Sequence, residues 1–182
     1  MKHNDKTSIS KFLSLVLRHQ PEAAGITVAY QGGWANVSAL IRGMRSAGYP
    51  VDLPLLEEIV AEDEKQRYSF NADHTMIRAN QGHSFPVDLG LKPIDPPEFL
   101  WHGTASRFLE AIQREGLQKM SRLFVHLSPD QETAVRVGTR HGKPVVLRVR
   151  AGEMQKDGYV FYRAENGVWL TETVPPRYFD II

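Results

Sequence analysis

Two short segments of the N-terminal half concentrate cationic side chains. Arg18 and His19 follow an apolar triplet, while Lys65-Gln66-Arg67 precedes an alternating run that ends at Arg78. A planar guanidinium offers a fork of donors that matches two phosphate oxygens, so these arginines could clamp a phosphate. Each segment also has an explanation without a ligand. Arg18 and His19 could simply suit the C-terminal end of a helix, which favours cations. The other cationic residues could lie on a solvated strand edge. Spacing alone does not decide between them.

A polar run, Asn80-Gln81-Gly82-His83-Ser84, follows directly after Arg78 and Ala79. Loops of this composition are common. Several hydrogen-bonding side chains around one glycine, placed where two halves of a chain join, also suit a ligand pocket. We therefore treat Asn80, Gln81 and His83 as candidate ligand contacts.

The segment Trp101-His102-Gly103-Thr104 opens the C-terminal half. We predict that it lies where a strand ends and a helix begins, with Thr104 as the helix cap. Backbone amides at such a turn bind anions, and glycine allows a ligand to approach closely. A turn glycine beside a capping threonine, with no ligand, is the alternative.

The next chemical signal is the alternating segment 121–128. Alternation places Arg122, Phe124, His126 and Ser128 on one face of a predicted strand. Arg122 and His126 are poor core residues unless a ligand meets them, so this face is a candidate site.

Several other kinds of site are excluded. The 182 residues contain no cysteine, which excludes disulfides, thiolate catalysis and cysteine-ligated zinc. The seven histidines show no HExxH or comparable spacing, so we expect no metal. There is no P-loop, GxGxxG or GxSxG motif. The net charge of +1, from 22 basic and 21 acidic residues, leaves polyanion binding to local arginine clusters.

Hydrophobic periodicity predicts three helices and then a hairpin in the N-terminal half. The first helix is predicted over residues 8–19, and Asn36 and Asp52 are predicted to cap the second and third helices. The hairpin strands are predicted at residues 67–70 and 75–78. This order is typical of a winged helix, which we assign to residues 1–92. A proline-rich linker lies between Phe85 and Phe99.

The C-terminal half alternates between strands and helices, which predicts a strand-rich α+β lobe over residues 93–182. The predicted strands are 98–103, 123–127, 144–150, 159–163 and 167–171, and a second helix is predicted from a capping box at Ser128-Pro129-Asp130-Gln131.

We expect a cytoplasmic monomer with no membrane contact. No apolar run approaches the roughly 20 residues that span a bilayer. The N-terminal segment, residues 1–6, has neither the apolar core nor the small-residue cleavage site of a secretory signal.

Taken in order, six segments resemble one family, the NAD-dependent RNA 2′-phosphotransferases of the KptA type. The resemblance runs from about Ser8 to Val174. The segments are Leu17-Arg18-His19, Lys65-Gln66-Arg67, residues 78–84, Trp101-His102-Gly103-Thr104, residues 122–128, and residues 166–171 with the sequence NGVWLT.

The resemblance implies an N-terminal winged-helix RNA lobe and a C-terminal lobe of the ADP-ribosyltransferase type. It implies that an internal 2′-phosphate, of the kind left at a tRNA splice junction, attacks the nicotinamide ribose of NAD and expels nicotinamide. The 2″-hydroxyl of that ribose then attacks the phosphorus of the ADP-ribosylated RNA. The products are RNA with a 2′-hydroxyl, ADP-ribose 1″,2″-cyclic phosphate and nicotinamide.

The resemblance also assigns roles to residues. The essential three arginines and one histidine of the family correspond to Arg18, His19, Arg67 and Arg122. The NAD contacts correspond to His102, Gly103, Thr104, His126, Ser128, Asn166, Gly167 and Val168. The RNA contacts are assigned to Lys65, Arg78, Asn80, Gln81 and His83. Many ADP-ribosyltransferases carry a glutamate where this chain has Val168, which argues against ordinary protein modification.

Two other functions share part of this pattern. An ADP-ribosyltransferase that leaves ADP-ribose on a nucleic-acid phosphate would need the NAD motifs but not Arg18, His19 and Arg67 together. A non-catalytic RNA-binding module would need only the winged helix, and the motifs of the C-terminal half would then be unexplained.

Overall fold

The structure is a computed structural model that describes residues 5–182. We expected no secretory signal in residues 1–6. Residues 1–4 of that segment lie outside the described range. The chain divides after Gly90 into two compact units, residues 1–90 and 91–182. Each unit combines helices with antiparallel strands, which confirms the predicted α+β class. None of the described helices is both long enough and apolar enough to cross a membrane.

Within residues 5–90, the first unit contains three α-helices and a three-stranded antiparallel sheet of order β1-β3-β2. The elements are α1 (Lys6–Arg18), a 3₁₀ turn (Pro21–Ala24), β1 (Trp34–Asn36), α2 (Val37–Ser46), α3 (Leu53–Glu62), β2 (Tyr68–Phe70) and β3 (Met76–Ala79).

The helices of the first unit begin where side-chain caps allow. The carboxylates or amide oxygens of Asp5, Asn36 and Asp52 each accept a backbone N–H three residues later, which satisfies an otherwise unpaired donor. The predicted caps at Asn36 and Asp52 are therefore confirmed. Because the cap is Asp5, α1 starts two residues before the predicted position at Ser8.

Strand β1 was not predicted from the sequence. It has only three residues, too few for an alternating pattern to stand out. Its pairing with β3 places Trp34 directly opposite Arg78. This third strand therefore brings an aromatic ring to one of the candidate phosphate ligands.

Within the described part of the second unit, two three-stranded antiparallel sheets have the orders β11-β7-β4 and β6-β9-β8, and β10 pairs with β5. The elements are β4 (Leu100–Ala105), a 3₁₀ turn (Ser106–Phe108), α4 (Leu109–Glu115), β5 (Leu117–Gln118), β6 (Val125–Leu127), α5 (Gln131–Thr139), β7 (Pro144–Val149), α6 (Ala151–Lys156), β8 (Phe161–Arg163), β9 (Trp169–Thr171), β10 (Thr173–Val174), a 3₁₀ turn (Pro176–Tyr178) and β11 (Phe179–Ile181).

A backbone bridge joins the two sheets. The Trp101 amide donates to the Ser128 carbonyl at 2.9 Å, and the Ser128 amide donates to the Trp101 carbonyl at 2.7 Å. The prediction that Ser128 caps α5 was wrong, because its carbonyl accepts the Trp101 amide instead of an amide of the helix, which begins only at Gln131. Asp130 is the cap instead, and its carboxylate accepts the Thr133 amide at 2.7 Å.

The prediction of a strand-to-helix turn at residues 101–104 was also wrong. Strand β4 continues to Ala105, and Thr104 is a buried strand residue rather than a cap. Gly103 lies in mid-strand, where an added Cβ would stand 1.7 Å from the Ala134 carbonyl oxygen of α5. The glycine is therefore required by the close approach of α5 to β4.

Candidate functional site

The C-terminal end of α1 is tied to the polar segment that follows β3. His19 caps the helix, and its amide donates to the Leu15 carbonyl at 2.9 Å. The Ser84 amide donates to the Arg18 carbonyl at 2.9 Å, and the Ser84 hydroxyl is 2.9 Å from Nδ1 of His19. Three bonds therefore fix the position from which Arg18 and His19 project.

Gly82 packs directly against the Arg18 side chain. The residue has φ +92°, and an added Cβ would stand 3.1 Å from both Cζ and Nε of Arg18. A side chain at this position would therefore be strained in its backbone and would press on the guanidinium. The glycine of the polar run lets the guanidinium lie directly against the backbone.

His83 occupies the centre of this region. It is 1% exposed, and neither ring nitrogen has a hydrogen-bond partner among residues 5–182. Burial, followed by the positive charges of Arg18, His19 and Arg78, lowers the pKa of His83 to about 4. The ring is therefore neutral near pH 7. We call Arg18, His19 and Arg78, which surround it, the cation cluster.

Arg78 is oriented by β1. Its guanidinium lies 4.7 Å from the centroid of the Trp34 ring, and Nη1 donates to the Gly32 carbonyl at 3.4 Å. A guanidinium stacked on an indole gains a cation–π attraction and loses freedom of rotation. The sequence singled out Arg78 but missed Trp34, because the two residues are 44 positions apart and only the sheet pairs them.

Arg67 is positioned by the side chain of Asn80. Asn80 is 5% exposed, its Nδ2 donates to the Gln66 carbonyl at 2.7 Å, and its Oδ1 accepts the Ser69 hydroxyl at 2.8 Å. Its own amide donates to the Arg67 carbonyl at 2.7 Å. Both ends of the Asn80 side chain therefore hold the chain that carries Arg67.

Asp63 is a second support that the sequence did not single out. One carboxylate oxygen accepts the Arg67 amide at 2.8 Å and the other accepts the Lys65 amide at 3.4 Å. The nearest guanidinium nitrogen of Arg67 is 3.9 Å from that carboxylate. Lys65 is half-buried. Gln81 is buried, and its Oε1 has no hydrogen-bond partner in the part of the chain that the structure describes.

The second unit brings Arg122, His126 and His102 together. Nη1 of Arg122 donates to Nδ1 of His126 at 3.0 Å, since a guanidinium has no acceptor. Nδ1 of His102 donates to the His126 carbonyl oxygen at 2.9 Å. Burial lowers the pKa of His102, so that ring is neutral and its Nε2 is an acceptor. Burial also lowers the pKa of Arg122.

Arg122 does not lie on the strand face predicted for it. Strand β6 begins only at Val125, because the Arg122 amide donates to the Lys119 carbonyl at 3.0 Å and closes a turn outside the ladder. The expected meeting of Arg122 with His126 nevertheless occurs, through the long side chain rather than through strand alternation.

Asn166, Gly167 and Val168 form the loop between β8 and β9. The Gly167 amide donates to the Ala164 carbonyl at 2.9 Å, with φ +86°, and the Val168 amide lies 3.3 Å from Oδ1 of Asn166. Strand β9 pairs with β6 and places Leu170 opposite His126. The loop therefore connects two strands of the sheet that contains His126. Across residues 5–182, no group of three or more histidines or carboxylates is placed to hold a metal.

Comparison with known proteins identifies the family. Residues 4–173 match the family model described as RNA 2'-phosphotransferase, Tpt1 / KptA family. The chain belongs to this family. The resemblance noted from the sequence is thereby confirmed, and the enzyme class is that of a transferase.

Related proteins match over almost their whole length. A probable RNA 2'-phosphotransferase from Flavobacterium johnsoniae is 52% identical over 99% of this chain and 98% of its own. Proteins with the same description from Agrobacterium fabrum and Pectobacterium carotovorum are 53% and 48% identical, over 96% and 99% of this chain and 94% and 97% of their own.

Acid should destabilise the folded chain through His83. Its pKa is about 4 in the folded chain, against 6.5 for an ordinary histidine, so the unfolded chain binds more protons between these values. The stabilising contribution is present above pH 6.5 and is lost as the pH falls towards 4. The full shift corresponds to about 3 kcal/mol in the free energy of unfolding.

Urea unfolding at pH 7, 5.5 and 4.5 measures this effect, with His83→Asn as the matched variant that cannot titrate. The variant should lose less stability on acidification than the unmodified chain. Equal losses in the two proteins would contradict the assignment of the acid sensitivity to His83.

Proposed function

We propose that this member of the RNA 2'-phosphotransferase family removes an internal 2′-phosphate from RNA by transferring it to NAD. The first unit would be the winged-helix lobe that binds RNA, and the second the ADP-ribosyltransferase-type lobe that binds NAD. The observation that carries the proposal is the gathering of Arg18, His19 and Arg78 around a buried, neutral His83. Such a concentration of positive charge is suited to a dianionic ligand.

The RNA phosphate needs orientation more than activation. A phosphate monoester has a second pKa of about 6, so it is largely dianionic at neutral pH and needs no base to become a nucleophile. Arg18 and Arg67 are proposed to hold its oxygens, since a guanidinium binds two oxygens at once. Each is anchored through its backbone, by Ser84 and by Asn80 respectively.

His19 is proposed to contact the transferring phosphate or to donate a proton to it. Its Nδ1 lies 2.9 Å from the Ser84 hydroxyl, which fixes the plane of the ring. The role towards the phosphate therefore falls to Nε2. Lys65, Arg78, Asn80, Gln81 and His83 complete the proposed RNA side, with Asn80 acting through the backbone of Gln66 and Arg67.

The residues of the second unit suit a nucleotide with ribose hydroxyls. The neutral His102 offers Nε2 as an acceptor, because its Nδ1 is engaged with the His126 carbonyl. When bound, NAD supplies an electrophilic anomeric carbon and a neighbouring 2″-hydroxyl. His102, His126, Ser128 and the loop 166–168 are proposed to hold it. Gly103 and Thr104 would contribute through β4, which carries His102.

Val168 supports phosphate transfer over protein modification. The loop that carries it presents an apolar side chain where many ADP-ribosyltransferases present a carboxylate, as the resemblance implies. Arginines can stabilise the charge on a transferring phosphoryl group without a divalent cation. We therefore propose that the reaction needs no metal. As expected from the sequence, we also propose that the enzyme is a cytoplasmic monomer.

The product of one reaction tests the proposal. A short RNA with a single internal 2′-phosphate, labelled at that phosphorus, is incubated with NAD in excess chelator. The label should appear in ADP-ribose 1″,2″-cyclic phosphate, with one nicotinamide released for each phosphate removed. Label retained on an ADP-ribosylated RNA would favour the ADP-ribosyltransferase alternative. No nicotinamide release, with or without added metal, would favour an RNA-binding module.

Arg122 should matter more in the second step than in the first. Attack of the 2″-hydroxyl builds negative charge on the phosphoryl oxygens, whereas the first step consumes charge on the phosphate. One oriented charged donor contributes roughly 3 kcal/mol to a transition state, about 10²-fold in rate. Arg122→Ala should therefore accumulate 2′-phospho-ADP-ribosylated RNA in a single turnover.

Arg122→Lys should rescue little, because an ammonium lacks the guanidinium fork and does not reproduce the bond to His126 in the same geometry. Arg114→Ala is the matched control, since the Arg114 side chain is exposed and forms an ion pair with the adjacent Glu115. If Arg122→Ala slows both steps equally and no intermediate accumulates, this division of roles is wrong.

A further inference from the structure

Tyr30 is an exposed aromatic side chain that the proposed reaction does not use. It is 61% exposed, a larger fraction than for any other tyrosine, tryptophan or phenylalanine that the structure describes. Exposure of one aromatic ring is unremarkable in itself. Tyr30 is of interest because the loop that carries it is held by backbone hydrogen bonds and contacts the cation cluster.

The loop that carries Tyr30 is held at both ends. The Asp88 amide donates to the Tyr30 carbonyl at 2.8 Å, and the Gly32 amide donates to the Asp88 carbonyl at 2.6 Å. The Ala29 amide donates to the Trp34 carbonyl at 2.9 Å. Because these bonds already fix the backbone, the loop itself loses little conformational freedom when a ligand covers the Tyr30 ring.

The same loop contacts the residues around the cation cluster. Gly32 accepts the bond from Arg78, and Gly33 packs so closely on His83 that an added Cβ would stand 3.2 Å from its Nε2. Trp34 lies under the Arg78 guanidinium. The loop that carries the exposed Tyr30 therefore also carries three residues that contact Arg78 or His83, within four positions of Tyr30 in the chain.

We propose that Tyr30 stacks on a base of the RNA, at a nucleotide adjacent to the one that carries the 2′-phosphate. This inference rests on the proposed function. A cationic surface with a neighbouring aromatic ring is the combination that binds single-stranded RNA, because the cations hold the backbone and the ring stacks on a base. Every base has a π face, so Tyr30 contributes affinity and register with little sequence preference.

The test is binding of a short single-stranded RNA with one internal 2′-phosphate, measured by fluorescence anisotropy. Tyr30→Ala should raise Kd about ten- to 100-fold. Tyr30→Phe should stay within about twofold of the unmodified chain, because it keeps the ring. Phe108→Ala, which removes a 43% exposed aromatic ring from the second unit, is the matched control and should leave Kd unchanged.

RNAs that lack a single base identify the contact. Removing the base that stacks should weaken binding to the unmodified chain, and Tyr30→Ala should then cause no further loss. The slope of log Kd against log salt should be the same for Tyr30→Ala and the unmodified chain, since no phosphate contact is removed.

Two results would overturn the inference. One is an unchanged Kd for Tyr30→Ala. The other is an equal loss on the intact RNA and on every RNA lacking a base, which would indicate a structural role or contact with another kind of partner. Either result, obtained with an unmodified chain that transfers the phosphate to NAD, would leave the proposed function standing. Failure of the unmodified chain to release nicotinamide would instead reject the proposed function.

Discussion

The bond from the Ser84 amide to the Arg18 carbonyl is the contact on which the first unit's site depends. Without it, α1 would still pack on β3 through the core, but its C-terminal end would lose the backbone bond that fixes Arg18 against the segment after β3. The hydroxyl of the same serine lies against His19, and Gly82 admits the Arg18 guanidinium to the backbone. One residue therefore aligns the helix end, the histidine and the polar segment.

Placing Arg18, His19 and Arg78 close together costs electrostatic free energy, and a neutral His83 between them keeps that cost from rising further. Adding a proton to His83 would place a further charge among Arg18, His19 and Arg78 in a buried position, so the ring stays neutral. The second unit follows a similar principle. His102 is neutral and donates to the His126 carbonyl, while the adjacent Arg122 donates to the His126 ring. In both units a neutral histidine lies next to an arginine.

Local signals in the sequence predicted part of this architecture. The caps Asn36 and Asp52, the α+β class and the family were predicted correctly, since each depends on short patterns or on ordered motifs. Contacts between distant segments were not predicted. Ser128 is engaged by Trp101 and so leaves the cap of α5 to Asp130, and no local pattern shows that Trp34 lies under Arg78. The spacing of residues in the sequence likewise does not show that Asn80 positions Arg67.

The central claim is that the cation cluster, together with Arg67, recognises the 2′-phosphate. Its most direct test compares the Kd of two short RNAs, identical except that one carries an internal 2′-phosphate, for the unmodified chain and for Arg18→Ala. The unmodified chain should bind the phosphorylated RNA more tightly, by about tenfold or more for a charged hydrogen-bonded contact. Arg18→Ala should remove most of that preference with little change for the unphosphorylated RNA. A preference that survives Arg18→Ala intact would contradict the claim.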